Sequence, residues 1–321
     1  MATPSTRRPT RRPTRLARGL RALAAGAAVL ALAAGCSGGG GEVEQAASPA
    51  PGKGAPISAG ARYVALGDSY TAGYLTGPTD ATSGGCLRAT TNYPRQVAQA
   101  LDLDLDDVSC GGATTESVAG EQTTATGEKV APQIEAVSAA TDLVTIGIGA
   151  NDFNAFGGIV VNCVQAATTN PNGAPCTALV KTQGGDAALR SRVDDLRDRL
   201  VDVVRAVLER APQARVVLVG YPEVFPASGS CEQLPLAKGD YELAHDTMKD
   251  ITDALRRAAR ATGVEYLDVW TASKGHDICA DDPWIAGVRP TRTDGYAWHP
   301  FPEEQELVAD LLQEQLRGDG D

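Results

Sequence analysis

Ser69 lies in Gly67-Asp68-Ser69, directly after a short run rich in β-formers, Arg62 to Leu66. A hydroxyl just past the carboxyl end of a buried strand faces the crevice where open α/β sheets bind their ligands. A serine used as a nucleophile needs a base for its proton and donors for the oxyanion that forms on the attacked carbonyl. Candidate donors follow two further strand-like runs. Gly111-Gly112-Ala113-Thr114 offers backbone N–H groups that a ligand can approach with no Cβ in the way. Gly149-Ala150-Asn151-Asp152 offers the neutral side-chain amide of Asn151. The base must be a histidine, which titrates near neutrality, and the chain has three: His245, His276 and His299.

Each stretch alone has an ordinary reading. Gly-Asp-Ser and Gly-Gly make turns, and Asn-Asp after a strand often caps a helix. Their order along one chain is what distinguishes them. Gly67-Asp68-Ser69, Gly112, Gly149-x-Asn151-Asp152 and His299-Pro300 together resemble the four blocks of the SGNH (GDSL) hydrolases. The likeness runs from about Arg62 to the C-terminal helix and is nearest to secreted actinobacterial six-cysteine esterases and lipases. It implies that Ser69 is the nucleophile, that Gly112 and Asn151 join the Ser69 N–H as oxyanion donors, and that His299 is the base. His245 then reads as a helix residue, and His276, in a loop pinned by Cys279, as a residue lining the site entrance.

One position departs from the common pattern. Relatives usually carry an aspartate three residues before the histidine, where this chain has Tyr296, and Asp294 is five before. Two arrangements follow: the Tyr296 carbonyl accepts the ring N–H of His299, or Asp294 reaches it through an altered loop. The carbonyl is favoured. Asp68 reads as a brace for its turn. Trp284 and Trp298 either line an acyl pocket or cap the core.

The elements that must position these residues are visible as alternating apolar runs and helical patterns, the mark of a parallel sheet covered on both faces. Expected strands are Arg62–Leu66, Asp104–Val108, Leu143–Ile148, Arg215–Val219 and Glu265–Val269. Expected helices cover Tyr93–Leu101, Ala187–Arg210, Tyr241–Ala261 and Glu303–Leu316. The longest spaces Leu189, Val193, Leu196, Leu200, Val204 and Val207 three or four apart, a stripe that packs on the sheet and calls for no cofactor. The fold implied is a three-layer α/β/α domain, residues 61–321, with a central five-stranded parallel sheet. Loops 76–91 and 153–185 would wall the pocket.

Seven arginines precede a short apolar run, Ala22 to Ala34, too short to span a bilayer, which takes about 20 residues. That pattern predicts a signal peptide over residues 1–35. Leu32-Ala33-Ala34-Gly35-Cys36 resembles a bacterial lipobox, with Ala33 where leucine is usual, so Cys36 is expected to be lipidated and to anchor the protein at the cell surface. Ordinary cleavage and secretion is the alternative. Residues 36–60, rich in Gly, Pro, Ala and Ser, read as a flexible tether. The other six cysteines, Cys86, Cys110, Cys163, Cys176, Cys231 and Cys279, suit an exported chain. The loops and the family likeness favour the pairs 86–110, 163–176 and 231–279.

The formal charge is −11, and removing the seven N-terminal arginines takes it near −18. Such a surface repels nucleic acid and anionic membranes. No metal is implied, since three scattered histidines lack any ligand spacing. The expectation is a monomeric, exported serine esterase or lipase acting on a small-molecule or lipid ester without a cofactor. A carbohydrate deacetylase of the same fold, or an inactive surface-binding lipoprotein, are the rival readings.

Overall fold

A computed structural model of the protein describes residues 56–318. The expected signal peptide, Cys36 and the tether as far as residue 55 lie outside the described residues. Five parallel strands form the central sheet: β1 (Arg62–Gly67), β2 (Asp104–Asp107), β3 (Leu143–Gly147), β4 (Arg215–Val219) and β5 (Glu265–Leu267). Their spatial order is β2-β1-β3-β4-β5. Val64 of β1 pairs with Asp106 of β2 on one side and Val144 of β3 on the other. The order therefore reverses at β1, and a doubly wound sheet opens its ligand crevice beyond the carboxyl ends of the strands at such a point.

Alternation along the strands explains the two helical layers. Val64, Leu66, Val144, Ile146, Val216 and Leu218 point into one core, which α2 (Gly185–Arg210) closes with Leu196, Leu200, Val204 and Val207. Helix α3 (Tyr241–Thr262) adds Met248, Ile251 and Leu255 to it. Tyr63, Ala65, Leu143, Val217 and Val219 face the opposite core, covered by α1 (Tyr93–Leu101) and α4 (Pro302–Arg317) through Val97, Val308 and Leu312. The expected stripe on α2 thus meets the sheet from Leu196 onward. Val193 is only partly buried, and Leu189 lines a cavity instead.

Element ends differ from expectation where side chains recapture the backbone. Strand β5 stops at Leu267 because Asp268 caps a one-turn helix, accepting from the Thr271 N–H at 3.1 Å. At the amino end, the Ile57 N–H donates to the Leu316 carbonyl at 3.3 Å and the Gly60 N–H to the Asp102 carbonyl at 2.6 Å. The last residues of the expected tether are therefore hydrogen-bonded onto the domain. Three disulfides join Cys86 to Cys110, Cys163 to Cys176 and Cys231 to Cys279.

Candidate active site

Ser69 opens a one-turn helix, Ser69–Ala72, seated on the ends of β1 and β3. The seat requires glycine in both strands: a Cβ on Gly67 or Gly147 would lie 2.2 or 2.5 Å from Thr71 Oγ1. Gln133 fixes the end of β1 from the side, accepting from the Gly67 N–H at 2.8 Å and donating to its carbonyl at 2.9 Å. Asp68 caps the turn. Its carboxylate accepts from the Tyr70 N–H at 3.0 Å and from the Tyr221 hydroxyl at 2.5 Å, and that hydroxyl accepts from the Ala150 N–H at 3.1 Å. The chain of bonds ties the serine turn to the loop that carries Asn151. Burial raises the Asp68 carboxyl to about 7, against the lowering effect of its two donors. Ser69 itself is buried, and among the described residues no acceptor engages its backbone N–H.

Gly112 follows β2 with φ +75°, a conformation that side chains resist, and its N–H likewise meets no acceptor among the described residues. Its loop is held by the Cys86–Cys110 disulfide, by the Cys110 N–H to the Gly67 carbonyl at 3.0 Å, and by Gln122 Nε2 to the Gly111 carbonyl at 2.8 Å. Asn151 Nδ2 donates to the Ala113 carbonyl at 3.0 Å, which leaves its second N–H free to donate elsewhere. The neighbouring Asp152 is buried and accepts from the Thr115 N–H at 2.9 Å and Thr115 Oγ1 at 2.5 Å. The ends of β1, β2 and β3 thus bring Ser69, Gly112 and Asn151 to one edge of the sheet.

His299 precedes α4, and three bonds fasten its segment to the serine turn. The Tyr70 hydroxyl donates to the Trp298 carbonyl at 3.0 Å, Thr76 Oγ1 to the Pro300 carbonyl at 2.7 Å, and Gln305 Nε2 to the Tyr70 carbonyl at 3.0 Å. On its other side the segment is laced to residues 284–286, with the Ala286 N–H on the His299 carbonyl at 2.9 Å and the Phe301 N–H on the Trp284 carbonyl at 2.7 Å. The imidazole packs against the rings of Tyr70 and Tyr74, at centroid distances of 6.0 and 5.2 Å, and of Tyr296 at 5.5 Å. Desolvation among them pushes its pKa from 6.5 down to about 4, opposed by one backbone bond.

That bond corrects the expectation for the ring's partner. His299 Nδ1 lies 2.8 Å from the carbonyl of Ala297, two residues back. The Tyr296 carbonyl accepts the backbone N–H of His299 instead, at 3.0 Å. Asp294 faces away, paired through both carboxylate oxygens with Arg292 at 2.9 and 2.6 Å, and that guanidinium holds its carboxyl below the usual range. Trp298 takes a left-handed φ of +68°, which turns the chain between Ala297 and the ring. A carbonyl only accepts, so Nδ1 carries the proton and Nε2 is left with a free lone pair.

The remaining histidines sit elsewhere. His245, on α3, lies edge-on to Trp270 and 3.4 Å from a Glu223 carboxylate oxygen. His276 stacks on Trp284 at 3.5 Å, its Nδ1 2.8 Å from the Asp282 carbonyl. Trp284 is thereby occupied by a histidine, while Trp298 packs on the larger core and supplies its carbonyl to Tyr70. Sequence reasoning did not find Gln133, Tyr221 or Gln305. Each is a polar residue acting across more than 60 positions, with no local pattern to mark it.

Residues 65–317 match the GDSL-like Lipase/Acylhydrolase family. The chain belongs to that family. Lipase 2 of Streptomyces coelicolor is 40% identical over 232 residues, covering 71% of this chain and 76% of that protein. The lipase of Streptomyces rimosus is 31% identical over 244 residues, 76% of this chain and 82% of the relative. Among solved structures, phospholipase A1 from Streptomyces albidoflavus superposes with a TM-score of 0.65 at 31% identity, over 80% of this chain and 99% of that one. This GDSL hydrolase is accordingly a carboxylic ester hydrolase with the three-layer fold of its structural neighbours, and its disulfides fit an exported protein.

Proposed function

We propose that this GDSL hydrolase cleaves lipid esters through an acyl-enzyme on Ser69. Ser69 Oγ attacks the ester carbonyl carbon while His299 Nε2 takes its proton. The oxyanion is held by the N–H groups of Ser69 and Gly112 and by the amide of Asn151. His299 then returns the proton to the leaving alkoxide as the carbon–oxygen bond breaks. A water that gives its proton to the same nitrogen attacks the acyl group, and Ser69 is regenerated with release of the acid. The observation that carries the reading is the bond from His299 Nδ1 to the Ala297 carbonyl, because it leaves Nε2 unprotonated on a ring packed against the helix of Ser69. The dyad is oriented by a backbone carbonyl and needs no carboxylate. The names of the relatives, two lipases and a phospholipase A1, support a lipid ester as substrate.

The test is hydrolysis of p-nitrophenyl esters of graded chain length beside an acetylated oligosaccharide. Ser69→Ala is expected to abolish turnover of every ester, with medium or long acyl chains preferred in the wild type. Release of acetate from the sugar without cleavage of the longer esters would overturn the lipid reading.

Residue 36 is proposed to carry the lipid anchor. Six of the seven cysteines are taken up in disulfides, which leaves Cys36 as the odd one. Metabolic labelling with an alkyne fatty acid is expected to mark wild-type protein and not Cys36→Ser.

A further inference from the structure

From Phe153 to Val180 the chain runs through 28 residues without one Asp, Glu, Lys or Arg. The sequence as a whole is 21% charged with a formal charge of −11, so this stretch breaks its own pattern. The run is buried only in part: Phe156, Ile159, Cys163 and Cys176 reach the core, while much of the rest stays at the surface. Among the described residues the exposed large apolar side chains are Phe153, Val161, Leu179 and Tyr296. Three of them stand on this run, and the fourth packs against His299. Val161 is 63% exposed and Leu179 46%.

The run folds as short helical pieces, among them Gly158–Cys163 and Pro175–Thr182, stapled by the Cys163–Cys176 disulfide. It seals onto the helices below only in part. A cavity of about 340 Å³ separates it from α2 and α3, with Phe153, Ile159 and Leu179 in its lining. The run also adjoins the site. It begins two residues after Asn151, and the ring of Phe156 meets that of Tyr70, next to Ser69, at 6.0 Å.

Exposed apolar side chains on an uncharged stretch, with Phe153 and Leu179 bordering one cavity, mark a surface that is covered in use. We propose that Phe153–Val180 is the face this enzyme lays on a neutral lipid surface, bringing the site to its ester. The inference rests on the lipid-ester reading above and names the partner of that same site. Charge selects the partner. A strongly negative protein is repelled by anionic lipid and by further copies of itself. A zwitterionic or uncharged lipid layer meets a stretch with no charged side chain of its own, and burial of Val161 and Leu179 in its interfacial zone supplies the attraction.

The experiment uses oxidised protein exported from a bacterial host and carrying Cys36→Ser, so that no acyl group at residue 36 contributes. Binding to phosphatidylcholine vesicles is measured by co-sedimentation, and turnover of p-nitrophenyl acetate in solution serves as the control for folding. V161D/L179D is expected to bind at least about tenfold more weakly with acetate turnover unchanged, since two exposed anchors become charged. Val161→Trp, which enlarges the apolar face, is expected to bind about threefold or more tightly than its parent. It also decides the matter should the double variant lose acetate turnover.

Phosphatidylglycerol vesicles are expected to bind less well than phosphatidylcholine. A parent protein that stays in solution with neutral vesicles, or an unchanged affinity in both variants, overturns the proposal. So does a parent that sediments as a dimer and becomes monomeric in V161D/L179D, which would assign the face to a second copy. Failure of the parent to hydrolyse the acetate would instead count against the esterase reading, and the vesicle result would still judge the face.

Discussion

In the proposed mechanism a backbone carbonyl, that of Ala297, does for His299 what a carboxylate does in many serine hydrolases. Asp294 is committed to Arg292 at the surface, so Asp294→Ala is expected to keep kcat within about a factor of two, in line with the small worth of exposed ion pairs. A loss of several orders of magnitude would restore Asp294 to the site. Asn151→Ala removes a neutral donor and is expected to lower kcat by about 10²–10³, with KM for a short ester little changed. The pH profile follows from the part-buried imidazole packed among three tyrosine rings. A base must be unprotonated to act, and desolvation holds His299 near 4 rather than 6.5. The acid limb of kcat/KM is therefore expected near pH 4, with activity held through pH 6. An acid limb centred near 6.5 would mean that the ring is solvated in the working enzyme.

Elements bring these residues together, and the serine turn and α4 are joined by polar groups with no solvent to share. Glu304, at the start of α4, is buried, and its carboxyl is pushed up to about 8 by desolvation, against one bond from Gln305. The unfolded carboxyl ionises near 4.5, so between that pH and 8 the unfolded chain holds fewer protons than the native one. Glu304 thus makes stability fall as pH rises through this window. Glu304→Gln is expected to flatten the decline in thermal midpoint between pH 5 and 8, and an unchanged slope would show that the carboxylate is solvated after all.

Strands and long helices were legible at this scale because alternation and 3.6-residue spacing are local signals. Val64 and Leu66 go to one core and Tyr63 and Ala65 to the other, as period two requires. The partner of the His299 ring was not legible. The turn that presents Ala297 depends on a left-handed Trp298, a conformation that no residue type in Tyr296-Ala297-Trp298 announces. Gln133, Tyr221 and Gln305 were hidden for a related reason: their partners are set by the packed fold and not by neighbours in sequence.

For the molecule as a whole, the four motif blocks carried most of the functional information, because β1, β2 and β3 end at one edge and α4 returns to it. The sheet order explains why points so distant in sequence meet there. Charge is distributed with the same economy, acidic over the chain and absent from Phe153–Val180. The disulfide Cys86–Cys110 ties the Gly112 loop to the loop ahead of α1. Its removal in C86S/C110S is expected to cost roughly 2–4 kcal/mol in stability and to weaken ester turnover, as read by denaturant titration of variant and parent, both oxidised.

In the proposed reaction one serine becomes acylated with help from one imidazole. It is tested most directly by treating the protein with a fluorophosphonate and mapping the adduct by peptide mass spectrometry. Stoichiometric modification of Ser69 is expected, slowed by orders of magnitude in His299→Ala. Labelling of another residue, or an unmodified Ser69 in folded and fully oxidised protein, would contradict it.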